Sequence, residues 1–210
     1  PSVEASYRAD AHRMAGAYLF GKGRGDEAIA QTRAGLEADP QDLECVLNLG
    51  SMLAARDLPG DAREALSFLD RAETMLEDWL REDSGRLGLY KQYRTVVLSS
   101  LMQVLSSLGR GPEVVAAERR LLATDVDAWW VVRVSVRAAL EAAGLGPEVY
   151  QADELLAQAL RFYGAGLKDK ARQALDSSIQ TQPTVLACTL RSEVRLAERR
   201  VAEALADAQA

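Results

Sequence analysis

Histidine is nearly absent from this chain: His12 is the only one in 210 residues. A metal cluster built on histidine is thereby excluded, and so is a histidine-paired nucleophile unless His12 is that partner. No H-E-x-x-H, G-x-S-x-G or C-x-x-C pattern occurs either. Cysteine is as scarce. Cys45 and Cys188 stand 143 positions apart among helix-forming residues, which predicts two buried free thiols and no disulfide framework. No apolar run approaches the roughly 18 residues that a membrane-spanning helix needs. Positive charge is in the minority, and the net charge of -6 argues against a general nucleic-acid binder. Lysine is rare, four against 21 arginines, and with abundant alanine this fits a GC-rich bacterial genome. The chain opens on Pro1 with no Met and no charged-then-apolar leader, which predicts a trimmed or excised chain. The bacterial cytoplasm and periplasm stay equally open. No cofactor and no metal are expected.

What the chain does have is punctuation and repetition. Gly-Pro-Glu-Val occurs at Gly111–Val114 and again 35 residues later at Gly146–Val149, and the same distance separates Gly25-Asp26 from Gly60-Asp61. A recurrence of that period is the sequence signature of stacked helical hairpins. None of the six prolines interrupts an apolar-periodic segment. Gly-x-Gly recurs at Gly23/Gly25, Gly109/Gly111, Gly144/Gly146 and Gly164/Gly166, where helices end and tight turns begin. Between these marks the apolar spacing is helical: Ala65, Leu69, Ala72, Leu76 and Trp79 share one face, as do Val97, Leu101, Leu105 and Leu108. The valines between Trp129 and Leu140 read locally like a strand. The following alanines, and Asp127 as a cap, favour helix. Ten helices are predicted, at 3–21, 26–38, 41–56, 60–82, 86–108, 112–123, 127–143, 147–163, 167–181 and 184–208, with no strand.

These residues resemble the tetratricopeptide repeat family, whose unit of about 34 residues is a pair of antiparallel helices. Gly16 and Ala28 stand 12 apart and Pro40 follows 12 later, which is the family spacing, with Thr32 and Gly35 replacing its usual apolar residues. Leu49-Gly50 matches the first helix of a second unit, and Ala65, Leu69 and Ala72 match its second helix. Gly109-Arg110-Gly111 aligns with Gly23-Arg24-Gly25, although Val114 and Val126 stand where Ala28 and Pro40 did. Ala171, Leu175 and Pro183 mark a late unit.

The resemblance implies an all-α, right-handed solenoid of antiparallel hairpins. It is expected as a single domain with repeat-like units at 9–42, 43–82, 86–126, 127–163 and 164–183 and a capping helix at 184–208. That last helix has a stripe of Leu186, Leu190, Val194, Val201 and Leu205, opposite Arg191, Glu193, Arg195, Glu198, Arg199 and Glu203. Two departures stand out. Gly60 to Gly111 is 51 residues, so helices 60–82 and 86–108 carry about half a repeat of extra length and are expected to project. Gly-Pro-Glu-Val makes 147–163 the second helix of a pair, whereas Ala171/Pro183 makes it a first helix; both registers stay open.

Few residues look chemical. Gly21-Lys22-Gly23-Arg24-Gly25 lacks the order of a phosphate loop and has no preceding strand, so a solvated turn is expected. Asp125-x-Asp127 reads as a helix N-cap pair. One constellation rises above this background. Residues 86–140 carry four acids and eight bases in a net-negative chain. Within them stand Tyr90, Lys91 and Arg94 on one helix and Trp130, Arg133 and Arg137 on another. Arginine with tyrosine or tryptophan is the composition of interface hot spots, and arginine suits bidentate carboxylate recognition. In the resembled family, first helices of successive units line a concave groove. The resemblance thus implies a non-catalytic adaptor, chaperone or assembly factor that binds a peptide or helix of another protein there, work that in bacteria includes secretion and pilus assembly. The alternative is a regulatory or ligand-sensing module of a larger protein. The oligomeric state is open.

Overall fold

The computed structural model describes residues 2–198 and 200–208. Among them there are eleven α-helices and no strand. They are α1 (Val3–Gly21), α2 (Gly25–Ala38), α3 (Leu43–Arg56), α4 (Asp61–Glu82), α5 (Leu87–Ser107), α6 (Gly111–Thr124), α7 (Val126–Ala142), α8 (Pro147–Gly164), α9 (Lys168–Thr181), α10 (Val185–Ala197) and α11 (Val201–Ala208), with a 3-10 turn at Ser84–Arg86 before α5. The strand-like valines lie in helix α7, capped by Asp125, whose carboxylate accepts from the backbone of Asp127 and Ala128. Asp127 itself is exposed in the first turn. The chain divides into two compact units, Pro1–Ala117 and Glu118–Ala210, and the division falls inside α6.

Four helix ends share one device. Gly23, Gly109, Gly144 and Gly166 all take positive φ, between 68° and 74°. In each case the next residue's N–H bonds back to a carbonyl five residues earlier, as Arg24 does to Leu19 and Leu145 to Leu140. This left-handed turn satisfies carbonyls that the helix leaves open and reverses the chain in a few residues. Successive helices are therefore antiparallel neighbours.

In the N-terminal unit the hairpins close on small residues. A methyl group added at Gly16 of α1 would lie 2.5 Å from Thr32 Oγ1 and 3.1 Å from the Ala28 carbonyl of α2. One at Gly50 of α3 would lie 2.9 Å from Leu69 Cγ of α4. Ala28, Ala65 and Ala72 are fully buried beside these crossings. Ala65→Leu is expected to overpack the α3–α4 hairpin and to cost roughly 1–3 kcal/mol. A melting temperature equal to wild type would place Ala65 at the surface and break the register.

First helices run side by side. Ser51 bonds Ser100, Glu44 accepts from Tyr93, and Gln103 donates to the Ala54 carbonyl, each across 49 residues, so α3 and α5 lie parallel in one register. Arg33 meets Glu64 across only 31 residues, from α2 to α4. The difference is the extra length of α4 and α5, located to the second and third hairpins. The turn between α3 and α4 is tied by a two-pronged pair from Arg56 to buried Asp61, at 2.8 and 2.7 Å, while Asp26 holds the same guanidinium at 2.7 Å.

In the C-terminal unit α8 packs along α9, with Ser178 Oγ donating to the Ala152 carbonyl at 2.8 Å. α8 packs against both of its neighbours, more extensively along α9 than along α7. The expected single helix over 184–208 is instead two. The chain folds back after Ala197 so that Asp207 of α11 accepts from both Arg191 and Arg195 of α10, at 2.7 and 2.8 Å, and Ser192 Oγ caps the Ala204 carbonyl at 2.8 Å. The two arginines expected on a solvated face are thus bound inward, and Leu205 of the expected apolar stripe is 60% exposed. Arg199, expected on the polar face, lies outside the described residues, as do Pro1, Gln209 and Ala210; Val201 of the stripe is described only by its backbone.

Candidate binding surface

The six aromatic and basic residues singled out in the sequence fall into two groups of three, one in each unit. Tyr90, Lys91 and Arg94 lie on α5 of the N-terminal unit. Tyr90 is 4% exposed and its hydroxyl donates to Glu77 of α4 at 2.9 Å. Burial and that acceptor push its phenol pKa up, against the pull of Arg94. Arg94 stacks over the Tyr90 ring at 5.4 Å and pairs with Glu77 at 3.4 Å and Glu73 at 3.7 Å. Both side chains tie α5 to α4. Lys91 is half-buried and, unlike Arg94, has no ion pair among the described residues.

The second trio is differently placed. Trp130, Arg133 and Arg137 lie on one face of α7, at steps of three and four. The Arg133 guanidinium stacks on the Trp130 ring at 4.9 Å, and Arg161 of α8 approaches the same ring at 5.1 Å. Arg133 Nη1 also donates to the Trp130 carbonyl at 2.7 Å, which fixes the side chain over the ring. It has no carboxylate partner among the described residues. Arg137 lies 5.7 Å from the Tyr150 ring of α8 and pairs with exposed Glu141 at 2.8 Å. Burial pushes the Tyr150 phenol up and Glu154 adds to it, while Arg133 and Arg137 act against both. The antiparallel α7–α8 turn at Leu145 brings position 130 opposite 161 and 137 opposite 150. Arg161 and Tyr150 were missed in the sequence because the register of that turn was not used to pair them.

Beneath this surface lies a polar core. Trp129 is fully buried and stacks on Tyr150 at 6.3 Å. Its indole N–H donates to Glu118, which is itself fully buried. Asp153 of α8, 1% exposed, stands beside Glu118, and Arg119 reaches it at 3.5 Å. Burial pushes both carboxyl groups up, Glu118 well above the usual range, and the neighbouring Asp153 adds to the rise at Glu118. Two carboxyls in one dry site share a proton. Burial thus favours a protonated Glu118 beside Asp153.

His12, the two cysteines and the glycine-rich turn make packing and turn contacts. His12 Nδ1 bonds Gln31 of α2 at 2.8 Å, a link between α1 and α2. Cys45 and Cys188 are buried free thiols, and burial holds the Cys45 thiol at about 12, far from a reactive thiolate. The turn of Gly21–Gly25 is solvated, with Arg24 paired to Glu27 at 2.5 Å. Among the described residues no group of three or more His, Cys, Asp or Glu side chains could hold a metal ion. No helix there is long and apolar enough to cross a membrane.

Antiparallel helical hairpins closed on small residues, with first helices aligned in parallel, are the geometry of tetratricopeptide-like repeats, and that is the class the fold defines. Such repeats typically present binding surfaces. The chain is similar to TTC0263, a thermophilic TPR protein of Thermus thermophilus, whose crystal structure aligns over 95% of this chain and 87% of that one at 18% identity and a TM-score of 0.33. That likeness is too loose to bear on function. No protein-family model matches the sequence. No curated protein matches it either.

Proposed function

We propose that this protein is a non-catalytic interaction scaffold, and that Trp130, Arg133 and Arg137 hold a carboxylate-bearing peptide or helix of a protein partner. The observation that carries the reading is Arg133, stacked on Trp130 at 4.9 Å without a carboxylate partner among the described residues. A guanidinium held over an aromatic ring, with Nη1 on the Trp130 carbonyl, keeps its other N–H groups for a carboxylate and has little rotamer freedom left to lose on binding. Arg161, 3.2 Å from exposed Asp127, adds charge to the same ring. Exposed Val131 and Val134 on α7 supply apolar contact beside the charges. Lys91 is a separate basic contact in the other unit, where Tyr90 and Arg94 act as its support. The arginine-over-lysine composition supports a bacterial setting for such an adaptor.

The test is a double substitution, Arg133→Glu with Arg137→Glu, measured against the partner recovered by pull-down with the full chain. Affinity is expected to fall at least tenfold, roughly 1.4 kcal/mol, with the loss greatest at low salt. Helicity and melting should stay near wild type, since neither charge is buried. Unchanged affinity would return both arginines to an ordinary solvated face.

A further inference from the structure

The N-terminal unit contains an open cavity of about 560 Å³ that the arginine–tryptophan surface of the other unit leaves unexplained. It owes its outer wall to the extra length of α4. In the register set by Gly50 against Leu69, the start of α3 lies opposite Leu76, so Asp78, Trp79 and Glu82 run beyond it. Trp79 and Tyr93 of α5 form an aromatic pair with ring centroids 6.0 Å apart, and Met75 and Leu43 line the space beside them.

The polar wall is strongly one-signed. Five carboxylates line the cavity, Asp10, Asp42, Glu44, Asp78 and Glu82, against one guanidinium, Arg13. Arg13 is already engaged by Glu44 at 2.5 Å and Asp10 at 3.0 Å, and Glu44 also accepts from Tyr93. Asp42 caps α3 by accepting from the Cys45 N–H at 2.7 Å. Asp78 meets only exposed Arg81, at 2.8 Å, and Glu82 has no partner among the described residues. No three of these side chains converge tightly enough for a metal ion. The fitting complement is an organic cation, and the protein itself shows which kind: the guanidinium of Arg86 rests 4.9 Å from the Trp79 ring. Guanidinium is the cation that both stacks on aromatic faces and pairs edge-on with carboxylates. The thioether and leucine beside the rings suit the aliphatic stem of such a side chain.

We propose that this cavity binds an arginine-bearing peptide segment of a partner protein, so that the chain presents an acidic site in one unit and a basic one in the other. The volume lies in the range of ligand pockets, and its open side lets a chain pass through rather than enclosing a small ion. The inference extends the scaffold reading but does not rest on the Trp130 surface, and its variants lie in the other unit, so the two can fail separately.

The test uses the full chain and a labelled oligo-arginine peptide, followed by fluorescence anisotropy. The comparator is the same peptide with citrulline for arginine, which keeps the shape and removes the charge. Asp78→Asn with Glu82→Gln removes two charges that the fold does not use, and Trp79→Leu removes the stacking face. The expected result is binding by wild type, at least tenfold weaker binding of the citrulline peptide, and at least tenfold weaker binding by each variant, with the melting temperature of the double variant unchanged. Equal binding of the two peptides, wild-type affinity in the double variant, or no binding by wild type would overturn the proposal. Spermine binding as tightly as the peptide would overturn it in favour of a polyamine. Self-association that the double variant abolishes would overturn it in favour of a second copy.

Discussion

Trp129→Ala is expected to destabilise the 118–210 unit by about 3–5 kcal/mol, the usual cost of emptying a fully buried aromatic site. Trp129 is 0% exposed, stacks on Tyr150 and sits against Trp130 with centroids 6.2 Å apart. It also supplies the donor that satisfies one oxygen of buried Glu118. Two losses therefore coincide, and Trp129→Phe separates them. Phenylalanine restores most of the volume but not the N–H, which leaves a buried acceptor unpaired at about 1–3 kcal/mol. Chemical denaturation combined with hydrogen exchange resolved along the chain would measure both, with the weakened protection confined to α7, α8 and α9. A net stability of the usual size for such a unit would be largely consumed by the alanine variant. If alanine and phenylalanine cost the same, the hydrogen bond outweighs packing and the core is organised around Glu118, not the ring.

The helices were legible because their ends are marked chemically. Gly23, Gly109, Gly144 and Gly166 sit where only a left-handed turn fits, and the apolar steps of Ala65 to Trp79 point to one face. Every helix through α9 therefore appears within two residues of its expected ends. The break between α10 and α11 was not legible, because no glycine or proline marks it. What drives it is long-range: Asp207 turns back to neutralise Arg191 and Arg195. The same limit governs the surface residues. Periodicity places Tyr90 and Arg94 on a face but does not say that Glu73 and Glu77 of the preceding helix already occupy them. Trp130, Arg133 and Arg137 could be grouped because they share a helix face, whereas Arg161 and Tyr150 reach them only through the hairpin register. Glu118 was hidden for a further reason. A charged residue in an amphipathic helix is ordinarily solvated, and nothing in the local pattern of Glu118-Arg119-Arg120 distinguishes the acid that is buried.

Acid is expected to affect the two units with opposite sign. In the C-terminal unit the carboxyls of Glu118 and Asp153 are both raised, chiefly by burial, with Arg119 opposing the rise at Asp153 and Trp129 that at Glu118. Unfolded, they titrate near the ordinary values of about 4.3 and 3.9. Between those values and the raised folded ones, the folded unit holds protons that the unfolded chain has lost. Its stability therefore falls as pH rises through that window, by up to about 1.4 kcal/mol per pH unit for each proton held. Below the unfolded values the effect is fully present and flat. In the N-terminal unit Asp61 behaves oppositely. Arg56 first, and the Leu58 N–H in addition, hold its carboxyl below the usual range despite burial. Its contribution is present above the unfolded value and is lost as pH falls through the lower folded one. Glu118→Gln keeps an oxygen to accept from Trp129 and has no proton to take up. It should flatten the pH slope of the C-terminal unit and raise its stability at pH 7 by about 1–3 kcal/mol, the scale set by relieving an ill-satisfied buried polar group. Asp61→Asn should leave that slope untouched and weaken the N-terminal unit at neutral pH. Melting of wild type and both variants from neutral pH down to the unfolded carboxyl range, with exchange protection assigned to each unit, decides the matter. A wild-type C-terminal unit whose stability rises with pH over that range would mean that Glu118 is ionised and that Arg119, not a shared proton, neutralises the buried pair.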